Sequence, residues 1–183
     1  MRTFLKPVLL LVAVLLPAAP AHAATAGMLG LGGRLTWIQQ AQDDPRTWVD
    51  AQILVRPLPR LFLAGSWGWA KESLRGGDAD TTLSELRWDL ALGVVVLDAD
   101  VTGYIPLMWR HVGEKNSWNG DANWTELGTG IGVLYPLGTL LQLRSEALWV
   151  APTSAHPELR LGADRSVDGS HLELSLGFLL YVR

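Results

Sequence analysis

The 183-residue chain contains no cysteine, so disulfide staples are excluded. In an oxidising compartment such a fold has to be held by backbone pairing and packing alone. Lysine is nearly absent as well: Lys6, Lys71 and Lys115 are the whole complement. A soluble surface of this size normally carries many more. There is no excess of positive charge, since the formal net charge is −3, which argues against a nucleic-acid partner. Beyond the N-terminal apolar run, no stretch approaches the roughly 20 apolar residues of a membrane-spanning helix. Phosphate loops and dinucleotide fingerprints are missing, and Gly128-Thr129-Gly130-Ile131-Gly132 reads as a strand with small residues on one face. Asp78-Ala79-Asp80 lacks the ligand count of a calcium loop. The four histidines are scattered. No metal and no cofactor is expected.

What is present begins with an export signal. Arg2 and Lys6 form a basic n-region, Val8 to Leu16 an apolar core that ends at Pro17, and Ala21-His22-Ala23 a small-x-small cleavage pattern. Residues 1–23 read as a cleaved signal peptide and 24–183 as one domain. Nine tryptophans are a high count for a chain of this length.

The domain alternates. Eight segments have the period-2 pattern of strands with one apolar and one polar face: Gly27–Ile38, Thr47–Arg56, Arg60–Glu72, Leu83–Leu97, Val101–Val112, Trp124–Leu134, Leu140–Ala151 and Ser170–Val182. The last is the clearest, with Leu172, Leu174, Leu176, Phe178, Leu180 and Val182 against His171, Glu173, Ser175, Gly177 and Tyr181. Leu179 is its one bulky exception. Most segments reach the roughly 9–11 residues that a tilted membrane strand needs. The third and fifth are less regular, and Pro106 predicts a bulge or break. Leu54, Leu134, Leu140 and Leu148 fall on polar faces, where they either plug an interior or mark a shift of register.

Connections alternate in length too. Residues 57–59, 98–100 and 137–139 are tight turns, whereas 39–46, 73–82, 113–123 and 152–169 are long and polar. With strands running alternately up and down, Trp37, Trp48, Trp67, Trp69, Trp88, Trp109, Trp124 and Trp149 fall near the long-loop end. Tyr104, Tyr135, Tyr181, Phe62 and Phe178 fall near the other. Tryptophan and tyrosine favour membrane–water interfaces, so two belts are expected. The principal one comprises Trp37, Trp67, Trp69, Trp88, Trp109, Trp124 and Trp149.

A soluble barrel of lipocalin type would alternate with its faces reversed. The polar face decides against it. It holds Gly30, Gly32, Gly68, Gly93, Gly128, Gly130, Gly132 and Gly177, small residues that suit a crowded interior. Its charges are of both signs and their cations are all arginine: Arg34, Arg56, Arg87, Arg110 and Arg144 beside Asp50, Glu85, Asp89, Glu126, Glu146 and Glu173. Guanidinium–carboxylate forks suit a buried network.

On these features the chain resembles the small eight-stranded outer-membrane barrels of the OmpA transmembrane-domain and OmpX type. The resemblance implies an all-β, eight-stranded antiparallel up-and-down transmembrane β-barrel. It also implies residence in the outer membrane after export through the inner membrane, and contact with outer-membrane lipid and, during biogenesis, the barrel-assembly machinery. Members usually end in an aromatic residue; here Arg183 follows Val182. The expected role is structural or loop-mediated, by a monomeric scaffold whose lumen is filled and whose residues 113–123 and 152–169 face an extracellular partner. One alternative is a narrow small-solute channel. Another is an outer-membrane lipid-modifying enzyme, for which no catalytic residues are assigned. His171, Glu173 and Ser175 share a strand face at a spacing of roughly 6–7 Å, too long for direct hydrogen bonds between them. The outer-leaflet deacylases carry His-x-Ser, and His111-Val112-Gly113 lacks the serine.

Overall fold

The computed structural model of the protein describes residues 28–39, 46–76, 79–116, 120–153 and 170–182. The expected signal peptide lies outside the described residues. Eight strands follow one another: β1 (Leu29–Gln39), β2 (Arg46–Leu58), β3 (Leu61–Gly76), β4 (Ala79–Asp98), β5 (Thr102–Asn116), β6 (Gly120–Pro136), β7 (Leu141–Pro152) and β8 (His171–Val182). Each pairs antiparallel with its sequence neighbours, and β8 returns to β1 to close a barrel. Closure leaves no free sheet edge through the length where all eight strands pair.

The alternation in sequence becomes an alternation of environment. Along β8, Leu172, Leu174, Phe178, Leu180 and Val182 are exposed, while His171, Glu173, Ser175, Gly177, Leu179 and Tyr181 are buried. Leu179 keeps the parity of its neighbours and packs inside. The outer surface is thus a band of leucine, valine, isoleucine and tryptophan. Soluble monomers rarely expose apolar patches beyond a few hundred Å². A continuous apolar girdle around a sheet whose every strand is paired on both sides suits hydrocarbon as solvent. No helix among the described residues is long and apolar enough to cross a membrane; here the strands cross.

Four strands are longer at the loop end than alternation alone indicates. β3 and β4 stay paired to Gly76↔Ala79, and β5 and β6 to Asn116↔Gly120. Much of what reads as the 73–82 and 113–123 loops is therefore hairpin. Polar residues such as Glu114 and Lys115 continue a ladder above the membrane, where no apolar face is required, so period-2 hydrophobicity vanishes although the strand persists.

Pro106 interrupts the β5–β6 ladder without changing its register: Tyr104↔Gly132 and Leu107↔Thr129 flank the unpaired Ile105 and Pro106. The irregularities of register lie instead at Val95/Leu97 and Val55/Leu58, beside the short turns.

Candidate functional site

The lumen is filled in three layers. At the short-turn end sits an apolar cluster built from Leu54, Phe62, Tyr104, Leu134, Leu179, Tyr181 and smaller neighbours, which on β7 continues past Arg144 and Glu146 to Leu148 and Val150. Three of the leucines that interrupt polar faces, Leu54, Leu134 and Leu148, belong to it; Leu140 stays exposed in a turn. Phe62 and Tyr104 meet edge to face, with ring centroids 4.6 Å apart. Glycine makes the room: a Cβ at Gly93 would overlap the Phe62 ring and one at Gly132 the Tyr104 ring.

Above this layer lies the charged one. Arg34, Asp50, Arg87, Asp89, Arg110, Glu126, Arg144, Glu146 and Glu173 all point inward and are almost wholly buried. Arg34 donates from Nε to Asp50 at 3.1 Å and from Nη2 to Asp89 at 2.8 Å, and its Nη1 lies 3.4 Å from Glu146. Arg87 forks onto Asp50 through Nε at 2.8 Å and Nη2 at 2.7 Å. That fork crosses a bare strand. Asp50 pairs with Gly68 on β3, and Gly68 with Arg87 on β4, so the missing side chain lets the carboxylate reach over β3. Arg144 donates to Glu146 at 2.7 Å and to Tyr104 at 3.0 Å, and the Tyr104 hydroxyl donates to Glu146 at 2.9 Å. This anchors the charged layer to the apolar one beneath it.

On the far side, Arg110 forks onto Glu173 at 2.6 and 2.8 Å and reaches Glu126 at 3.2 Å. Its Nε lies 3.7 Å from Asp89, and Arg87 Nη1 lies 4.0 Å from Glu173, which joins the two halves into one network. Glu85 is buried and inward as well. Arg56, expected in this network, stands apart from it. It is buried at the short-turn end, where it donates to the Pro59 carbonyl at 3.0 Å and pairs with Asp98 at 2.9 Å, tying the β2–β3 turn to the β4–β5 turn.

A third, smaller apolar layer caps the charges at the loop end: Ile38, Trp48, Val112, Ala122 and Trp124. Here the expected belt needs correcting. Trp124 is only 6% exposed, shares the inward face of β6 with Glu126, and donates from Nε1 to its carboxylate at 2.9 Å. Trp48 is inward too, with the Arg87 guanidinium 4.3 Å above its ring. Parity explains both, because each is an even residue on a strand whose even residues line the lumen. The remaining belt residues, Trp37, Trp67, Trp69, Trp88, Trp109 and Trp149, do face outward. The second belt shrinks to Tyr135 and Phe178, since Phe62, Tyr104 and Tyr181 are inside.

Glu126, His171 and Glu173 come together with one potential ligand atom each, all within 4.8 Å. His171 Nε2 lies 3.1 Å from Glu173 Oε1, closer than strand spacing alone predicts, because both side chains lean along the strand. Arg110 already sits on both carboxylates, supplying from the protein the positive charge that a cation would bring. Ser175 donates toward Glu146, not toward the histidine. The fold's closure signalled that distant strands would meet in the lumen, but period-2 reading does not tell which residues share a level.

Comparison with solved structures matches this architecture. Ail, the attachment invasion locus protein of Yersinia pestis, superposes with a TM-score of 0.54 at 11% identity, over 86% of this chain and 100% of that one. The fold is that of the small outer-membrane barrels. A major outer-membrane protein of Thermus thermophilus is similar, with a TM-score of 0.53 at 13% identity over 86% of this chain and 100% of that one. So is Neisserial surface protein A, at 0.51 and 13%, over 84% and 95%. No protein-family model and no curated protein sequence matches the chain.

Proposed function

We propose that the protein is an outer-membrane barrel with a closed lumen, exported through the inner membrane by its 1–23 leader and inserted by the barrel-assembly machinery. It acts as a monomeric structural element or as a rigid scaffold that presents its loop end to an extracellular partner. One observation carries the reading: two apolar layers enclose a charged layer whose guanidinium and carboxylate groups are bound to one another. Ion pairs of this kind hold a lumen shut, because opening it would strand buried charges. An eight-stranded barrel is just wide enough for side chains to fill.

The partner surface of this reading is the loop end. It comprises the tall β3–β4 and β5–β6 hairpins, the latter taking up much of the expected 113–123 loop, and the expected 152–169 loop, of which 154–169 lie outside the described residues. A catalytic role is not part of the proposal, since Glu173 is engaged by Arg110 and Ser175 by Glu146.

Planar-bilayer recording of the folded protein tests the closed lumen. The expected trace stays at background, and discrete, reproducible conductance steps from pure folded protein would reject the reading in favour of a narrow channel. Deleting residues 154–169 tests the scaffold. Surface binding should fall while heat-modifiable mobility on gels, the mark of an intact barrel, is kept.

A further inference from the structure

The outer face of the barrel is not evenly filled. Between β2 and β6 it carries a groove of about 640 Å³. Its floor is one cross-strand row: Ile53, Gly65, Leu90, Trp109 and Leu127. Gly65 is the notch. A Cβ there would meet nothing nearer than 3.4 Å, so the closeness of neighbours does not demand glycine. What glycine leaves is open space between Leu63 and Trp67, the outward residues before and after it.

The two rims differ. Toward the short-turn end the next row is Val55, Leu63, Leu92 and Leu107, aliphatic across β2 to β5, and it ends at Thr129 on β6. Toward the loop end, one row beyond the residues that line the groove, stand Ala51, Trp67, Trp88, His111 and Thr125. Trp88 organises that rim, edge-on to Trp109 at 4.8 Å and tilted against His111 at 5.7 Å. His111 is half-buried and makes this ring contact without a hydrogen bond to any described residue. Lys115 is exposed farther up the same strand.

We propose that this groove seats one acyl chain of a phosphate-bearing lipid of the outer leaflet, with the headgroup held at His111. The order of the rims carries it. A site that passes from an aliphatic end through a floor with one indole, Trp109, to the indole and imidazole of Trp88 and His111 beyond it, with a cation above, reproduces the change from hydrocarbon to headgroup that a lipid itself presents. A second copy of the barrel would need an aliphatic face here and would bury the imidazole unpaired. The inference rests on the membrane placement proposed above.

Native mass spectrometry of the folded protein released from detergent micelles tests it. The micelles are doped with phosphatidylglycerol or, in parallel, with a diacyl lipid of the same chains that lacks phosphate. One phosphatidylglycerol should remain bound per barrel. Gly65→Phe, which fills the notch, should lower its occupancy by about tenfold, the loss expected from unseating roughly two methylenes. Leu92→Trp, narrowing the groove from the other rim, should do the same and stands in if Gly65→Phe fails to fold. Ala147→Phe, on the lipid face of β7, should change nothing. His111→Ala should lower phosphatidylglycerol occupancy and leave the phosphate-free lipid unaffected. Equal occupancy in Gly65→Phe and Ala147→Phe would overturn the site. So would a dimer peak that Gly65→Phe abolishes, which would assign the face to a second copy. Failure of the membrane placement has a separate mark: no heat-modifiable folded form in any arm, the unsubstituted protein included.

Discussion

Replacing Glu173 with leucine asks what the charged layer contributes. The substitution keeps strand pairing and replaces the carboxylate with an apolar side chain, so what is lost is the charge together with its hydrogen-bond acceptors. Glu173 is 1% exposed and receives two short bonds from Arg110, at 2.6 and 2.8 Å, and a third contact from His171 at 3.1 Å. Each hydrogen bond to a charged group is worth about 1.5–3 kcal/mol in place, offset by the cost of burying the carboxylate. After the change Arg110 keeps Glu126 at 3.2 Å and a distant Asp89 at 3.7 Å. It loses its fork but not every partner, so the cost falls near the lower end of the roughly 3–5 kcal/mol for orphaning a buried charge. A value of about 3 kcal/mol is roughly a hundredfold in the folding equilibrium. Urea unfolding in lipid vesicles, followed by tryptophan fluorescence and by heat-modified gel mobility, measures it. The double variant Arg110→Met with Glu173→Leu should cost less than the sum of its parts, since neither charge is then orphaned by the other. A loss below about 1 kcal/mol with strict additivity would refute the reasoning. It would mean that water already solvates the layer and that the lumen is open.

Three further outcomes follow from the same parities. Gly68→Ala should destabilise the barrel by about 1–3 kcal/mol, because its Cβ would overlap Asp50 Oδ1 and displace the carboxylate from Arg87, whereas Gly65→Ala three residues earlier on the outward face should be tolerated; equal unfolding midpoints would refute the contrast. Leu176→Arg, mid-strand on the lipid face of β8, should cost about 2–4 kcal/mol and impair assembly, read as loss of the heat-modifiable band. Brominated acyl chains should quench the emission of variants that keep only Trp67 or only Trp149, and leave variants that keep only Trp48 or only Trp124 bright, which reports inside and outside directly.

The strand count, order and facing were legible because hydrocarbon imposes a strict rule on every second residue, and eight segments obey it. The limits of legibility follow from the same rule. Where β3 to β6 rise past the apolar band, Gly113–Asn116 and Gly120–Asn123 no longer need alternation, and pairing continues without a hydrophobic signal. Aromatic residues are ambiguous for a related reason. Tryptophan and tyrosine suit an interface, but they also suit a lumen that offers a carboxylate to an N–H or O–H. Trp124 with Glu126 and Tyr104 with Glu146 are of that second kind. Parity separates the two uses, and read strictly it would have placed Trp124 inside. The partners of each charge were not legible, since cross-barrel meetings depend on stagger, which no single strand encodes. Arg56 shows this: its parity is that of Asp50, yet its height on β2 gives it Asp98 and a turn carbonyl.

Height also explains the order of the layers. The turns at one end are short and bring strands together with little polar chain to cover them, so the lumen there is closed by the bulk of Phe62, Tyr104 and Tyr181, with glycines opposite to admit the rings. The charged layer then sits between the two mouths, where unpaired groups would be costly, and every arginine in it except Arg144, whose carboxylate Glu146 lies on its own strand, is supplied with carboxylates from other strands. Some of those bonds are cross-links between non-neighbouring strands: Arg34 of β1 reaches Asp89 of β4, and Arg110 of β5 reaches Glu173 of β8. Ladder hydrogen bonds fix only adjacent strands, so the network restrains the cross-section of the barrel in a way the sheet does not. A chain without disulfides gains lateral rigidity from this source, and a rigid rim is what the proposed scaffold role would require.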